Sequence, residues 1–152
     1  LRMRGDLYAD HVDRRGRVER SLWTYNQGAA TGAQWLLHVA TGDDDAIARA
    51  QQTANSSLRR FGAERTWRHP PVFNAVWFRN LLALDAAAGV DGLDGALDAY
   101  LARAWRDGRD ADGLFTAGGI GTYDGTPAID TAGLVQLLAL RAWPRERLTL
   151  VC

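Results

Sequence analysis

Apolar and polar positions along the chain change their period block by block, and every block has a helical one. In "AATGAQWLLHVATGDD" small and apolar residues lead to Gly42, a natural position for the residue just past a helix C-terminus. Asp43, Asp44 and Asp45 follow, where an N-cap and first turn favour negative charge. Ile47, Ala50, Ala54, Leu58 and Phe61 then form a stripe, with Arg49, Arg59 and Arg60 off it, as in a half-buried helix. After Pro70 and Pro71, "VFNAVWFRNLLALDAAAG" is apolar on almost every side as far as Gly89. A fourth helix carries Leu93, Leu97, Tyr100, Leu101, Ala104 and Trp105 along one face. The fifth, "TPAIDTAGLVQLLALRAW", is again apolar nearly all round, with Pro127 well placed at its start.

A helix that is apolar on all sides needs cover on all sides, whereas an amphipathic one supplies that cover from outside. The alternation therefore predicts an all-α fold of consecutive hairpins with an inner and an outer layer. Internal repetition points the same way: "NLLALDAA" at Asn80 recurs as "QLLALRAW" at Gln136. Aligning the inner helices gives Asn26, Asn74 and Asp130 equivalent places, one per hairpin. Three such hairpins make an open arc, about half of a helical toroid, because each repeat buries its face only against its neighbours. The two cut edges are expected to be apolar. The division expected is a leading segment over 1–21, hairpins over 22–143 and an unassigned tail over 144–152, within one partial domain.

Composition narrows the function classes. Eighteen basic residues, all arginine, balance eighteen acidic ones, which leaves no basic stripe for nucleic acid. The one cysteine, Cys152, has no partner for an internal disulfide or a zinc site, and the redox compartment stays open. No apolar run reaches the length of a membrane span. No signal peptide is visible and the chain starts without Met, so a leader or an upstream half is expected to lie outside it.

The candidate chemistry gathers at the starts of the inner helices, where free N–H groups and a positive dipole end are offered. Trp23, Tyr25, Asn26 and Gln27 stand at the first start, Phe73 and Asn74 at the second, and Tyr123, Asp124, Thr126 and Asp130 at the third. The loop "DGRDADGLFTAGGIGTYDGTP" is long and Gly-rich, as functional loops often are. Aromatic rings beside amides and carboxylates suit a sugar: the ring packs on the C–H face and the polar groups read hydroxyls.

"LWTYNQGAATGAQWLLHVATGD", then "PPVFNAVWFRNLLAL", then "GLF" with its Gly-rich run, resemble the C-terminal half of glycoside hydrolase family 76, the family of endo-α-1,6-mannanases. The resemblance runs from Leu7 to Trp143 and is most specific at W-x-Y-N-Q-G, Trp23 to Gly28. It implies a six-hairpin α/α toroid, a mannan-like polysaccharide or oligosaccharide as partner, and retaining hydrolysis by two carboxylates without metal or organic cofactor. It also implies sugar contacts at Trp23, Tyr25, Asn26 and Gln27, with Asn74, Tyr123 and Asp130 as second choices. Members of the family are often extracytoplasmic. Their catalytic aspartate pair lies upstream of the Tyr-Asn-Gln element, and no such pair precedes it here. Asp43 to Asp45 stand at the other end of the first hairpin, roughly 20 Å away for a helix of this length, and are read as a cap.

Plainer roles are open for each of these residues. The Trp23–Gln27 cluster also fits a helix cap with aromatic packing, and Asn74 and Asp130 fit helix caps. Asp110 to Gly113 fits a turn better than a calcium loop. His38 fits packing, and His69 stands close enough to the cluster to touch a ligand or, on a third reading as a sugar epimerase, to act as a base. Trp35, Trp77, Trp105 and Trp143 fall on apolar stripes and are expected in the core. Gly28 and Gly32 predict a close helix–helix approach, and "GGIG" at Gly118 lacks the lysine of a phosphate loop. Against the enzyme stands a non-catalytic helical module, either a carbohydrate-binding relic or a truncated product that lacks the catalytic aspartate pair. The arc's own partner is either a second copy or an upstream half.

Overall fold

In the computed structural model, which describes residues 1–115 and 127–151, five helices follow a short hairpin. The hairpin pairs β1 (His11–Val12) with β2 (Val18–Glu19). Then come α1 (Thr24–Thr41), α2 (Asp44–Trp67), α3 (Pro71–Ala88), α4 (Leu93–Asp107) and α5 (Pro127–Ala142). A 3-10 segment, Arg145–Val151, ends the described chain.

The expected layering is present. Helix α3 is the hub: it packs on α1 and α5, and on α2, α4 and the 3-10 segment. Its sequence explains this, since Trp77, Phe78, Leu81, Leu82 and Leu84 point to several sides and are all buried. Helices α2 and α4 cover it from outside with the stripes read from the sequence, among them Ala50, Ala54, Phe61, Leu93, Leu97 and Ala104. The inner helices approach closely because glycine stands at the crossings. A Cβ on Gly28 would lie 2.5 Å from Trp77 Cα, and one on Gly133 would lie 2.9 Å from Val72 Cα.

The outermost inner helices turn apolar stripes to solvent. On α1 these are Ala29, Ala33, Leu36, Leu37 and Ala40, and on α5 Ala128, Ala132, Val135, Ala139 and Ala142. Both follow the i, i+3/i+4 spacing of a single helix face. They are the apolar edges that an open arc predicts.

Three smaller readings change or gain detail. Trp35 and Trp77 are core residues, but Trp105 is 52% and Trp143 46% exposed. Trp105 is held at the surface by the Arg109 guanidinium, 3.8 Å from its ring centre, so its place on the stripe does not carry it inside. The unassigned tail is anchored rather than loose: Arg145 pairs with Asp85 and with Asp94, and Leu148 is buried against the core. Helix α2 breaks its helical path at Gly62, whose φ of 53° lies in the region that favours glycine.

Candidate functional site

The N-terminal ends of α1, α3 and α5 meet at one end of the arc, joined by side chains at equivalent places. Thr24 Oγ1 donates to Asn74 Oδ1 at 3.0 Å, and Asn74 Nδ2 donates to the Thr66 carbonyl at 2.9 Å, in the last turn of α2. One hairpin on, the Val72 N–H at the start of α3 donates to Asp130 Oδ1 at 3.4 Å. Asn74 and Asp130 therefore cap helices, but those of their neighbours rather than their own. Both are buried, and neither presents a surface for a sugar. Their physical part is to satisfy backbone groups left open at helix ends. Asp130 Oδ2 has no partner among the described residues, and burial pushes this carboxyl above its ordinary range.

The Tyr25-Asn26-Gln27 run reaches back to the leading segment. Gln27 is fully buried and its amide is spent on the backbone: Oε1 accepts from the Tyr8 N–H at 2.7 Å, while Nε2 donates to the Tyr8 and Trp23 carbonyls at 2.8 and 3.0 Å. Its expected sugar contact gives way to a structural role, since no acceptor or donor is turned outward. Two residues beyond Tyr8, on the same side of an extended segment, stands Asp10. The Tyr25 hydroxyl and Asn26 Nδ2 both donate to Asp10 Oδ1, the latter at 2.9 Å, and His11 Nδ1 lies 2.8 Å from Oδ2. These bonds, the tyrosine's first, hold the Asp10 carboxyl down at about 2, and the same contact raises the Tyr25 phenol.

Aromatic rings flank this polar group. Tyr25 and Trp23 both meet Phe73, with ring centres 4.5 and 5.7 Å apart, and Trp23 also meets His69 at 5.3 Å. Trp23, Tyr25, Asn26 and Phe73 are all half-buried, so they keep some surface. His69 Nδ1 accepts from the Thr24 N–H at 3.3 Å, and burial lowers the imidazole to about 4, which keeps it neutral near pH 7. A general-base role would meet that nitrogen already engaged by the backbone.

The other candidates separate from this cluster. Asp43 caps α2 through a 2.9 Å bond from the Asp45 N–H, at the far end of α1. Asp110 closes a turn by accepting from the Asp112 and Leu114 N–H groups. Tyr123, Asp124, Thr126 and the "GGIG" run lie outside the described residues. An apolar cavity of about 80 Å³ between α2 and α4, lined by Leu58, Thr66, Trp77 and Tyr100, is well below the roughly 300–1,000 Å³ of ligand pockets. Among the described residues no group of three or more potential metal ligands converges. Sequence patterning alone misses Asp10, Thr24 and Thr66. For Asp10 the available signal is an acidic residue inside the otherwise apolar alternation of "LYADHV".

Comparison with known proteins places this geometry in a fold. No family defined by sequence matches the chain, and no curated protein does. Among solved structures, a family 76 glycoside hydrolase from a bovine Bacteroides thetaiotaomicron strain superposes with a TM-score of 0.70 and 22% identity over 90% of this chain. The chain spans 33% of the length of that protein. Over nine-tenths of its length, this chain has the all-α hairpin fold of a part of a family 76 glycoside hydrolase.

Proposed function

We propose that this chain is one wall of the sugar-binding cleft of a glycoside hydrolase that acts on an α-1,6-mannan-type polysaccharide. The observation that carries the reading is the half-buried run of Trp23, Phe73 and Tyr25 rings that leads to Asn26 and the Asp10 carboxylate, at the joined N-terminal ends of inner helices. Rings offer a face for pyranose C–H groups, and the polar atoms beside them read hydroxyls. The likeness to a family 76 glycoside hydrolase supports a carbohydrate ligand.

A second reading, a module that binds sugar without cleaving it, has its own support. Retaining hydrolysis uses two carboxyl groups about 5–5.5 Å apart. Among the described residues the ring-side donors converge on Asp10, whose contacts hold it ionised, while the neighbouring Glu19 carboxylate is bonded to Ser21 instead. In the hydrolase reading the reacting carboxylates come from outside the described part, and the residues here position the sugar.

Calorimetric titration of the chain with α-1,6-linked mannotriose tests the binding that both readings share. Asn26→Ala is expected to weaken binding at least tenfold while leaving the thermal midpoint within a few degrees. Gln27→Ala is expected to lower the midpoint as well, because the Tyr8 peptide loses two buried bonds worth roughly 1–3 kcal/mol each. No binding by the unmodified chain, or equal loss of binding and stability in Asn26→Ala, would reject the sugar-cleft reading.

A further inference from the structure

The Asp10 carboxylate is more than a tie between the leading segment and α1. Two donors, the Tyr25 hydroxyl and Asn26 Nδ2, converge on Oδ1. Oδ2 engages His11, through a side chain that is itself 59% exposed, and the Asp10 side chain keeps 17% of its own surface. An ionised carboxylate has about four acceptor positions. Three are occupied among the described residues, and the remaining one belongs to the oxygen on the open side. The group is also fixed in advance, since Gln27 clamps the Tyr8 peptide two residues upstream by both its N–H and its carbonyl. A preset acceptor spends little ordering entropy when a ligand arrives.

We infer that Asp10 is a specificity-determining sugar contact: its Oδ2 accepts a hydroxyl of a neutral pyranoside packed against the neighbouring Tyr25 ring, and its charge turns away uronic and phosphorylated sugars. The inference rests on the proposed sugar cleft and adds to it the residue that selects a neutral sugar over an acidic one. A carboxylate held well below its ordinary range by two donors on one oxygen accepts hydrogen bonds near pH 7 rather than giving up a proton. An acidic sugar placed against the same ring would set two like charges side by side in a partly dry site, which disfavours it.

The test compares two probes on the full chain, α-1,6-mannotriose and a trimeric uronic acid, each titrated by calorimetry against the unmodified protein, Asp10→Asn and Tyr25→Phe. The unmodified protein is expected to bind the neutral trimer and not the acidic one. Asp10→Asn should lose ten- to a hundredfold in affinity for the neutral trimer, the range of a hydrogen bond to a charged group, and should narrow the gap between the probes. Tyr25→Phe keeps the charge but loosens its clasp, so affinity should fall while the discrimination persists. That variant decides the matter if Asp10→Asn does not fold. Neutral binding and discrimination both unchanged in Asp10→Asn would overturn the inference and leave the sugar cleft standing. Binding of neither probe by the unmodified protein would remove the cleft and the inference together.

Discussion

His69 shows how far a single side chain is defined by its surroundings. Its ring lies between Trp23 and Phe61, with centres 5.3 and 4.9 Å away, and its Nδ1 serves the Thr24 N–H. Burial lowers its ionisation from 6.5 to about 4. The unfolded chain takes up this proton near pH 6.5 and the folded chain only near pH 4, so acidification across that window favours unfolding. The thermal midpoint should therefore fall between pH 7 and pH 4.5, and His69→Phe should flatten that fall even though its starting midpoint is lower. An unchanged pH slope in the variant would show that the imidazole is hydrated. At this scale the sequence was only half legible. Spacing placed Trp23, Tyr25 and Asn26 together, because helix periodicity is local. It gave no sign that Gln27 faces the Tyr8 backbone or that Asp10 joins the group, since both depend on how an irregular segment folds back across α1.

Elements were easier to read than residues. Gly42, Gly89 and the two prolines at 70 and 71 bound helices where their backbone preferences require it, and the stripes on α2 and α4 face the core. Trp105 escaped the pattern because Arg109 offers its ring a surface partner, which no hydrophobic period encodes. The glycine spacing at Gly28 and Gly32 was informative, because helix axes can only come this close where a side chain is missing. Two substitutions separate that packing role from helix propensity. A methyl group on Gly95 of α4 would meet only open space, so Gly95→Ala should raise stability by up to about 1 kcal/mol. Gly28→Ala gains the same propensity but drives a methyl into the Trp77 backbone, and should cost about 1–3 kcal/mol net. Chemical denaturation reads both, and stabilisation by Gly28→Ala would mean that α1 and α3 are not locked at this crossing.

Across the whole molecule, the layers and the open arc were legible because they follow from counting apolar faces. A helix with too many of them, such as α3, has to be surrounded. The faces left over on α1 and α5 are the molecule's chief liability in isolation. Leu36 is 47% and Val135 55% exposed, each in the middle of an apolar stripe. Sedimentation velocity should find the isolated chain self-associating, and Leu36→Glu with Val135→Glu should return it to monomer. A clean monomer without those changes would mean that the stripes are too small to drive contact. The bonds that join the inner helices carry a last consequence, which concerns the order in which the chain is made. Thr66 precedes Asn74 and Val72 precedes Asp130, so each open helix end leaves the ribosome before the side chain that caps it. Synthesis from the N-terminus is thus expected to leave the newest end of the arc uncapped until the next hairpin emerges, a vectorial zipper whose last tooth waits for its partner.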